Sequence, residues 1–299
     1  MKRKLLFFIN PISGTKNKKN IETIIRYQCE KHNIDFDVAY TNPKGNYRLI
    51  EDKILEEGFT DIIMVGGDGT VNQLTKALRH LGLPFGIVPV GSGNGLALAA
   101  GISTNILKAL RTIYDGKTIE VDAFLINNHY SCMLSGVGLD AQVAHDFAQQ
   151  STRGLLTYTQ QSISNYFKAQ PYLFQINVSE YSFYTDAFFI SIANSNQFGN
   201  NFTIAPQANL SDGLLDIVVV QKMHKSKLPF AIIQQMKGNN GLQEIVENLR
   251  KNNILYFQTP GITIQNPKLA PMHIDGEPVE TSETIEVSMI AKAFKLLVP

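Results

Sequence analysis

The sequence predicts an α/β unit built on a parallel sheet, followed by an antiparallel β-sandwich. Three observations carry this reading. Over roughly the first 120 residues, short apolar runs alternate with helix-patterned segments, the order of a parallel sheet with crossover helices. After about Val121, strand signals follow one another without regular crossover helices, as in a sandwich. Three glycine-containing loops each follow a predicted strand of the first half. The 299 residues suffice for two medium-sized domains, and a chain that is 44% hydrophobic and 18% charged can bury a sizeable core.

The elements follow in order. Leu5-Leu6-Phe7-Phe8-Ile9 is a continuous apolar run, expected of a strand covered on both faces. Residues 19–32 carry a helical pattern, 35–40 read as a second strand and 47–57 as a second helix. Asp61-Ile62-Ile63-Met64-Val65 is a third buried strand, stopped by Gly66-Gly67. Residues 70–80 are helical, with Val71, Leu74, Ala77, Leu78 and Leu81 near one face. A strand over 84–88 ends at Pro89. Beyond Asp122, where the domain boundary is placed, strands are expected at 123–126, 130–137, 173–179, 188–193, 215–221, 254–259, 262–265 and 285–290. Helical stretches at about 141–168 and 227–250 interrupt them. The reading is therefore a first domain of residues 1–122 and a second of 123–290.

Lys plus Arg number 27 and Asp plus Glu 26. A balance of +1 gives no global attraction to nucleic acid, so no nucleic-acid partner is expected, and any membrane must act through a local patch. Cys29 and Cys132 are far apart, which excludes a disulfide scaffold and a cysteine zinc site and suits a reducing cytosol. Lys2-Arg3-Lys4 before the first apolar run mimics a signal peptide. The run stops at Asn10-Pro11, short of a signal core, so a buried strand in a cytoplasmic protein is expected instead.

The loops suggest phosphate chemistry. They are Asn10-Pro11-Ile12-Ser13-Gly14, followed by Lys16, Lys18 and Lys19; Gly66-Gly67-Asp68-Gly69-Thr70, followed by Val71-Asn72-Gln73; and Gly91-Ser92-Gly93-Asn94-Gly95. All lie at the carboxyl ends of predicted parallel strands, where ligands collect. Glycine allows close backbone approach, and amides at a following helix N-terminus point at an anion. Thr70 and Ser92 can add hydroxyl donors. Neither the dinucleotide fingerprint nor the Lys-containing nucleotide loop is present. A plain strand-ending turn is the other reading, open above all for the Asn10 loop.

At these residues the chain resembles the diacylglycerol kinase catalytic-domain family, which includes bacterial lipid kinases, sphingosine kinases and ceramide kinases. The pieces that carry the resemblance are Gly66 to Gln73, Pro89-Val90-Gly91-Ser92-Gly93-Asn94, Ala205-Pro206 with Leu210-Ser211-Asp212-Gly213-Leu214-Leu215-Asp216, and Ile274-Asp275-Gly276-Glu277. They occur in the family's order and span essentially the whole chain. The resemblance implies a Rossmann-like nucleotide-binding domain and a β-sandwich lipid-substrate domain, with the active site in the cleft between them. It also implies that a last strand, about 291–299, returns to the first domain.

Carried over by position, the resemblance implies that Asn10, Pro11, Ser13, Gly14, Thr41, Gly66, Gly67, Asp68, Gly69, Thr70, Asn72, Gly91, Ser92, Gly93 and Asn94 form the ATP-binding surface. Asp212, with the backbone carbonyls of Asn209 and Leu214, would hold a structural Mg2+; Asp212-Gly213 also suits a hairpin turn. Asp275 and Glu277 match the family's acidic pair, with Asp275 the proton acceptor and Asp68 the rival base. Gly95 stands where many bacterial diacylglycerol kinases carry an acidic residue. Asp140 sits where sphingosine kinases contact the lipid head group, although an aspartate that merely starts a helix is the other reading. Asp68 and Asp122 remain available to an acidic network, and Asp122 and Asp140 are the lipid-substrate candidates.

The implied activity is an ATP- and Mg2+-dependent lipid kinase acting on a hydroxyl of diacylglycerol or a sphingoid-like lipid. It would be cytoplasmic with transient peripheral contact to a membrane, and a homodimer stays open. The apolar residues Val143, Phe147, Leu155, Leu156, Tyr158, Ile163, Tyr166 and Phe167 read as core, with a lipid cleft as the alternative. His129, His145 and His273 are not spaced as a metal set and read as surface or polar-core residues. An NAD kinase-like phosphotransferase and a non-catalytic lipid- or nucleotide-binding regulator are the competing functions. Gly67→Val is expected to block phosphate approach while leaving the fold intact.

Overall fold

The computed structural model describes residues 3–12, 20–142, 170–197, 203–245 and 252–299. Two compact units emerge: one of Met1–Val121 with Lys292–Pro299, the other holding the bulk of 122–291.

In the first unit, β1 (Lys4–Ile9), β2 (Asp35–Tyr40), β3 (Asp61–Gly66) and β4 (Pro84–Pro89) form a parallel sheet, joined by the end of β15 (Thr284–Val298). The order is β2-β1-β3-β4-β15. The helices are α1 (Ile21–Lys31), α2 (Arg48–Glu56), α3 (Asp68–Leu78), α4 (Gly95–Ala99) and α5 (Ile106–Asp115). Leu5, Phe7 and Ile9 of β1 join Ile21 and Ile25 of α1 and Leu110 and Ile113 of α5 in one core cluster. The intervening Phe8 meets Tyr47, just before α2, edge-on at 5.5 Å. Both faces of β1 are therefore covered, which is why its apolar run is unbroken.

This strand order has a chemical consequence. The chain leaves β1 toward β2 on one side, then crosses back to β3 on the other. The carboxyl ends of β1 and β3 thus flank a topological switch point, the place where open parallel sheets bind ligands.

The second unit is antiparallel. It contains the end of β5 (Lys117–Ile126), then β6 (His129–Ser131), β7 (Leu134–Gly138), β8 (Tyr172–Val178), β9 (Tyr181–Ala193), β10 (Leu215–Gln221), β11 (Ile254–Thr259), β12 (Gly261–Gln265), β13 (Met272–Ile274), β14 (Glu277–Val279) and the start of β15. β9 pairs with β8 along its first half and with β7 and β10 along its second. A core of Phe124, Val137, Phe174, Ile190, Ile217, Phe257, Ile264 and their neighbours fills the sandwich. A further helix, α6 (Leu228–Met236), follows β10.

Several expectations are corrected. The strand expected over 130–137 is two strands, β6 and β7. The segment between them is tied down by Asn194, whose side chain donates to the Cys132 carbonyl at 3.0 Å while its backbone N–H donates to Met133 at 2.9 Å. The helix expected over 227–250 is interrupted after Met236, because Gly238 turns left-handed (φ +72°) and closes the last turn onto Gln235; Ile245 is helical again, and residues 246–250 lie outside the described residues. The strand expected at 285–290 continues to Val298, with Lys292 left-handed (φ +53°) inside it. α5 was not anticipated. Chain is helical over 139–142; the rest of the helix expected over 141–168, with Val143, His145 and the apolar residues after them, lies outside the described residues. Among the described residues, no helix is long and apolar enough to cross a membrane.

Candidate active site

In the first unit the loops after β1, β3 and β4 lie side by side. The Asn10 amide donates to Val65 at 3.0 Å and that of Val90 to Gly66 at 3.0 Å, so each loop starts from a fixed neighbour. The Asn10 side chain donates to Thr70 Oγ1 at 2.8 Å, and its Oδ1 accepts the Ile12 amide at 3.1 Å. Thr70 is thus buried and spends its hydroxyl tying the first loop to α3. Asn94, left-handed at φ +55°, closes the third loop: its Oδ1 accepts the Gly91 amide and its Nδ2 donates to the Gly91 carbonyl, both at 2.9 Å. Thr41 donates from its amide to Ile9 at 3.0 Å, fixing the end of β2 beside the first loop. Pro11 and Ser92 are exposed and Asn72 half-buried. Ser13 and Gly14 lie outside the described residues, as do Lys16, Lys18 and Lys19.

The glycines divide into two kinds. A Cβ on Gly67 would lie 2.9 Å from Gly91 Cα, and one on Gly91 would lie 2.4 Å from Gly67 Cα. These two are needed because the loops touch backbone to backbone. Gly67→Val therefore disturbs the loop packing itself, contrary to the expectation that the fold would stay intact. Gly69 differs: it is exposed, sits in the first turn of α3, has no positive φ, and a Cβ there would meet nothing within 4 Å. Nothing inside the protein asks for glycine at this helix N-terminus.

Asp68 begins α3 and is half-buried. Its Oδ1 accepts the Leu96 amide at 3.3 Å, and the carboxyl also faces the amides of Gly95 and Asn94 at the start of α4. Burial pushes the carboxyl above the usual range, and these amides partly offset that. Asp68 thus joins the second loop to the third.

In the second unit Asp275 and Gly276 are both left-handed (φ +50° and +81°) and form the two-residue turn between β13 and β14, with Ile274 opposite Glu277. The Asp275 Oδ1 accepts Ser131 Oγ at 2.7 Å and the Leu134 amide at 3.2 Å, which aims the carboxylate; Glu277 is exposed. His273, a polar-core residue with no exposure, stands behind the turn. Its Nδ1 accepts the Gly276 amide at 3.2 Å, so the neutral ring carries its proton on Nε2, 3.5 Å from Asp140 Oδ2. Asp140 Oδ1 accepts the Ala141 amide at 2.8 Å. Gly136 makes room for the pair, since a Cβ there would lie 2.0 Å from Asp140 Oδ2. His273 and Ser131 were not singled out from sequence as site residues. The signal available was strand alternation, which turns His273 away from its apolar neighbours Met272 and Ile274.

Asp122 is buried, and its Oδ2 accepts the Gly213 amide at 2.7 Å. Asp212 is exposed on that turn, where its Oδ1 accepts the Leu214 amide at 3.0 Å and Asn209 Oδ1 accepts the Ser211 amide at 3.0 Å. Asp216, next along, is buried; burial raises its carboxyl to about 6, against hydrogen bonds from Tyr256 and Gln258. Among the described residues no three His, Cys, Asp or Glu side chains converge as a metal cluster. The Asp212 turn offers one solvent-facing carboxylate, a donor set that fits only a hydrated hard cation completed by backbone carbonyls and water.

Residues 4–126 match the diacylglycerol kinase catalytic domain, and residues 133–298 the YegS C-terminal NAD kinase beta sandwich-like domain. A diacylglycerol kinase of Staphylococcus carnosus (strain TM300) is 24% identical over 93% of this chain and 89% of its own. A protein of Shewanella frigidimarina (strain NCIMB 400) named "Probable lipid kinase YegS-like" is 26% identical over 93% and 88%. The crystal structure of a diacylglycerol kinase from Bacillus anthracis str. Sterne shares the fold, with a TM-score of 0.74 at 18% identity over 99% of this chain and 97% of that one. With both domains matched in order along nearly its whole length, the chain belongs to the diacylglycerol and lipid kinase family, and is by that membership a phosphotransferase.

Proposed function

We propose that this protein transfers the terminal phosphate of ATP to a hydroxyl group of diacylglycerol, with Mg2+, working from the cytoplasm by transient contact with a membrane. The observation that carries the ATP reading is Gly69. A glycine with no internal requirement, at the N-terminus of an 11-residue helix beside a switch point, is explained by a phosphate approaching the backbone. The amides of Gly91 and Thr70 are already bonded, to Asn94 Oδ1 and the Gly67 carbonyl, so they brace the cradle.

The chemistry needs positioning and charge neutralisation more than covalent help, because the phosphoryl transition state is loose. The Gly69 amide, in the first turn of α3, holds a phosphate oxygen. Mg2+, when bound, would supply charge neutralisation; Asp68 would be the side chain to hold it near the phosphates, and Asp212 would serve a separate structural site. The lipid oxygen bonds to the terminal phosphorus as the bond to ADP breaks. Asp275 takes the hydroxyl proton, its Oδ1 anchored by Ser131 and Leu134, with Glu277 assisting. Asp68 is less suited as base, since its carboxyl already takes amides of α4.

Asp140 bears on the lipid. Its Oδ1 accepts the Ala141 amide and its Oδ2 is buried 3.5 Å from the His273 ring, so the carboxylate is turned inward. That supports a neutral diacylglycerol over a sphingoid base, whose ammonium would require a carboxylate facing it. The test is a panel of diacylglycerol, ceramide and sphingosine in mixed micelles. Diacylglycerol is expected to give the highest kcat/KM, and a preference for sphingosine would overturn this choice.

A further inference from the structure

α6 and its flanks are not used by the phosphotransfer chemistry. The segment from Lys222 to Gln243 holds Lys222, Lys225, Lys227 and Lys237, with His224, and no Asp or Glu, in a chain whose net charge is only +1. α6 itself is Leu-Pro-Phe-Ala-Ile-Ile-Gln-Gln-Met. It buries only the narrow stripe Leu228, Ala231 and Gln235, the last donating to the Ile204 carbonyl at 2.9 Å. Its remaining apolar residues point elsewhere: Phe230 is 65% exposed and Ile233 48%, and Leu242 on the following loop is 43% exposed. A groove of about 660 Å³ runs beside them, lined by Lys227, Phe230 and Leu242 and by the amides of Asn239, Asn240 and Asn252.

A helix that is apolar on nearly every side is normally buried all round. Here the outer side faces solvent and is rimmed by ammonium groups. Lys222 lies 3.5 Å from Asp186, and Glu244 follows the segment directly, so the positive charge is partly moderated. Apolar side chains that can enter an acyl boundary, flanked by lysines that meet phosphate head groups, are the composition of an interfacial helix.

We infer that α6 and its lysine-bearing flanks are the docking surface for an anionic lipid bilayer, with Phe230 and Ile233 inserted at the acyl boundary. This deepens the lipid-kinase reading and rests on it for the choice of occupant, because a diacylglycerol substrate resides in a bilayer. Charge complementarity favours the bilayer over a second copy of the chain, which would bring the same lysines face to face.

The chain has no tryptophan, so Phe230→Trp creates a single fluorescent reporter on α6. With vesicles of phosphatidylglycerol and phosphatidylcholine its emission is expected to shift to the blue, less so in 0.5 M salt. The same reporter at exposed Tyr27 on α1, Tyr27→Trp, is expected to stay unshifted. Lys225→Gln with Lys227→Gln should weaken vesicle sedimentation roughly thirty-fold, at about 1 kcal/mol per lysine. Phe230→Ser with Ile233→Ser should abolish it. Turnover of a short-chain, water-soluble diacylglycerol should be unchanged in these variants, which separates docking from catalysis. Unshifted Phe230→Trp emission, or full vesicle binding by both double variants, would overturn the inference. So would a wild-type dimer in sedimentation velocity that the Ser variants split, since the patch would then join two copies. Loss of turnover on the soluble substrate by the wild type would instead sink the kinase reading.

Discussion

Replacing Gly69 by alanine should stabilise the protein while weakening ATP binding. The added Cβ meets no atom within 4 Å, and the residue is helical without positive φ. Glycine in a helix costs about 0.5–1 kcal/mol relative to alanine, so the variant gains up to that amount. For a domain of this size that is a rise in Tm of roughly 2–4 °C. The same methyl group stands where the Gly69 amide would meet a phosphate. Loss of one charge-assisted hydrogen bond costs about 1.5–3 kcal/mol, a ten- to hundred-fold rise in the Kd for ATP. Gly91→Ala is the contrast, because its Cβ lies 2.4 Å from Gly67 Cα and must push the loops apart. That overpacking should cost about 1–3 kcal/mol of stability before any ligand is added. Thermal unfolding by circular dichroism and titration calorimetry with MgATP measure both quantities. A Gly69→Ala protein with unchanged ATP affinity would refute the reasoning, since the glycine would then serve neither fold nor ligand.

Four further outcomes are expected. Asp275→Asn keeps an acceptor for Ser131 and Leu134 but removes the base, so kcat should fall about 10²–10⁴-fold with ATP affinity intact; an unchanged kcat would pass the base role to Asp68. Asp140→Asn and His273→Gln should each lower kcat by slackening the turn at Gly276, equally for diacylglycerol and sphingosine; a loss confined to sphingosine would mean that Asp140 reads an amine. Asp212→Ala should lose about 1 kcal/mol from the Leu214 bond and also lose any rise in Tm with Mg2+; a retained rise leaves Asp212 a turn residue. Asp216 titrates near 6 in the fold against 3.8 as reference, so its raised value contributes stability fully present below about pH 4 and lost as pH climbs through about 6. That is on the order of 3 kcal/mol, and Asp216→Asn should flatten this decline in denaturant unfolding measured from pH 4 to 7.

The parallel half was legible because its signals are local. β1, β3 and β4 are covered on both faces, so their apolar runs are continuous, and glycine or proline ends each one. α5 escaped notice although Asn105 caps it, accepting the amides of Leu107 and Lys108 at 3.1 and 3.2 Å. Its apolar residues Ile106, Ala109, Leu110 and Ile113 recur at helical spacing, so this signal was present in the sequence. In the antiparallel half, the solvent-facing start of β9 carries Tyr181, Ser182 and Tyr184, which read as loop until β8 is placed beside them. The split between β6 and β7 depends on Asn194, about sixty residues away in sequence.

For the site, the glycine loops and the Asp275-Gly276 turn could be read directly from residue type. The bracing could not. Nothing local tells that Gly67 meets Gly91, that Asn94 folds back onto Gly91, or that His273 links Asp140 to the acidic turn. Both readings of Asp275-Gly276 hold at once in geometry: it is a hairpin turn, and that turn presents an anchored carboxylate.

The central claim is that this chain moves the terminal phosphate of ATP onto a lipid hydroxyl. A single-turnover reaction tests it directly, with γ-labelled ATP, Mg2+ and diacylglycerol in mixed micelles, quenched and extracted into organic solvent. The account predicts label in the lipid phase as the phosphorylated diacylglycerol, in equal amount to the ADP formed. Label remaining in the aqueous phase, as inorganic phosphate or on NAD, would contradict it.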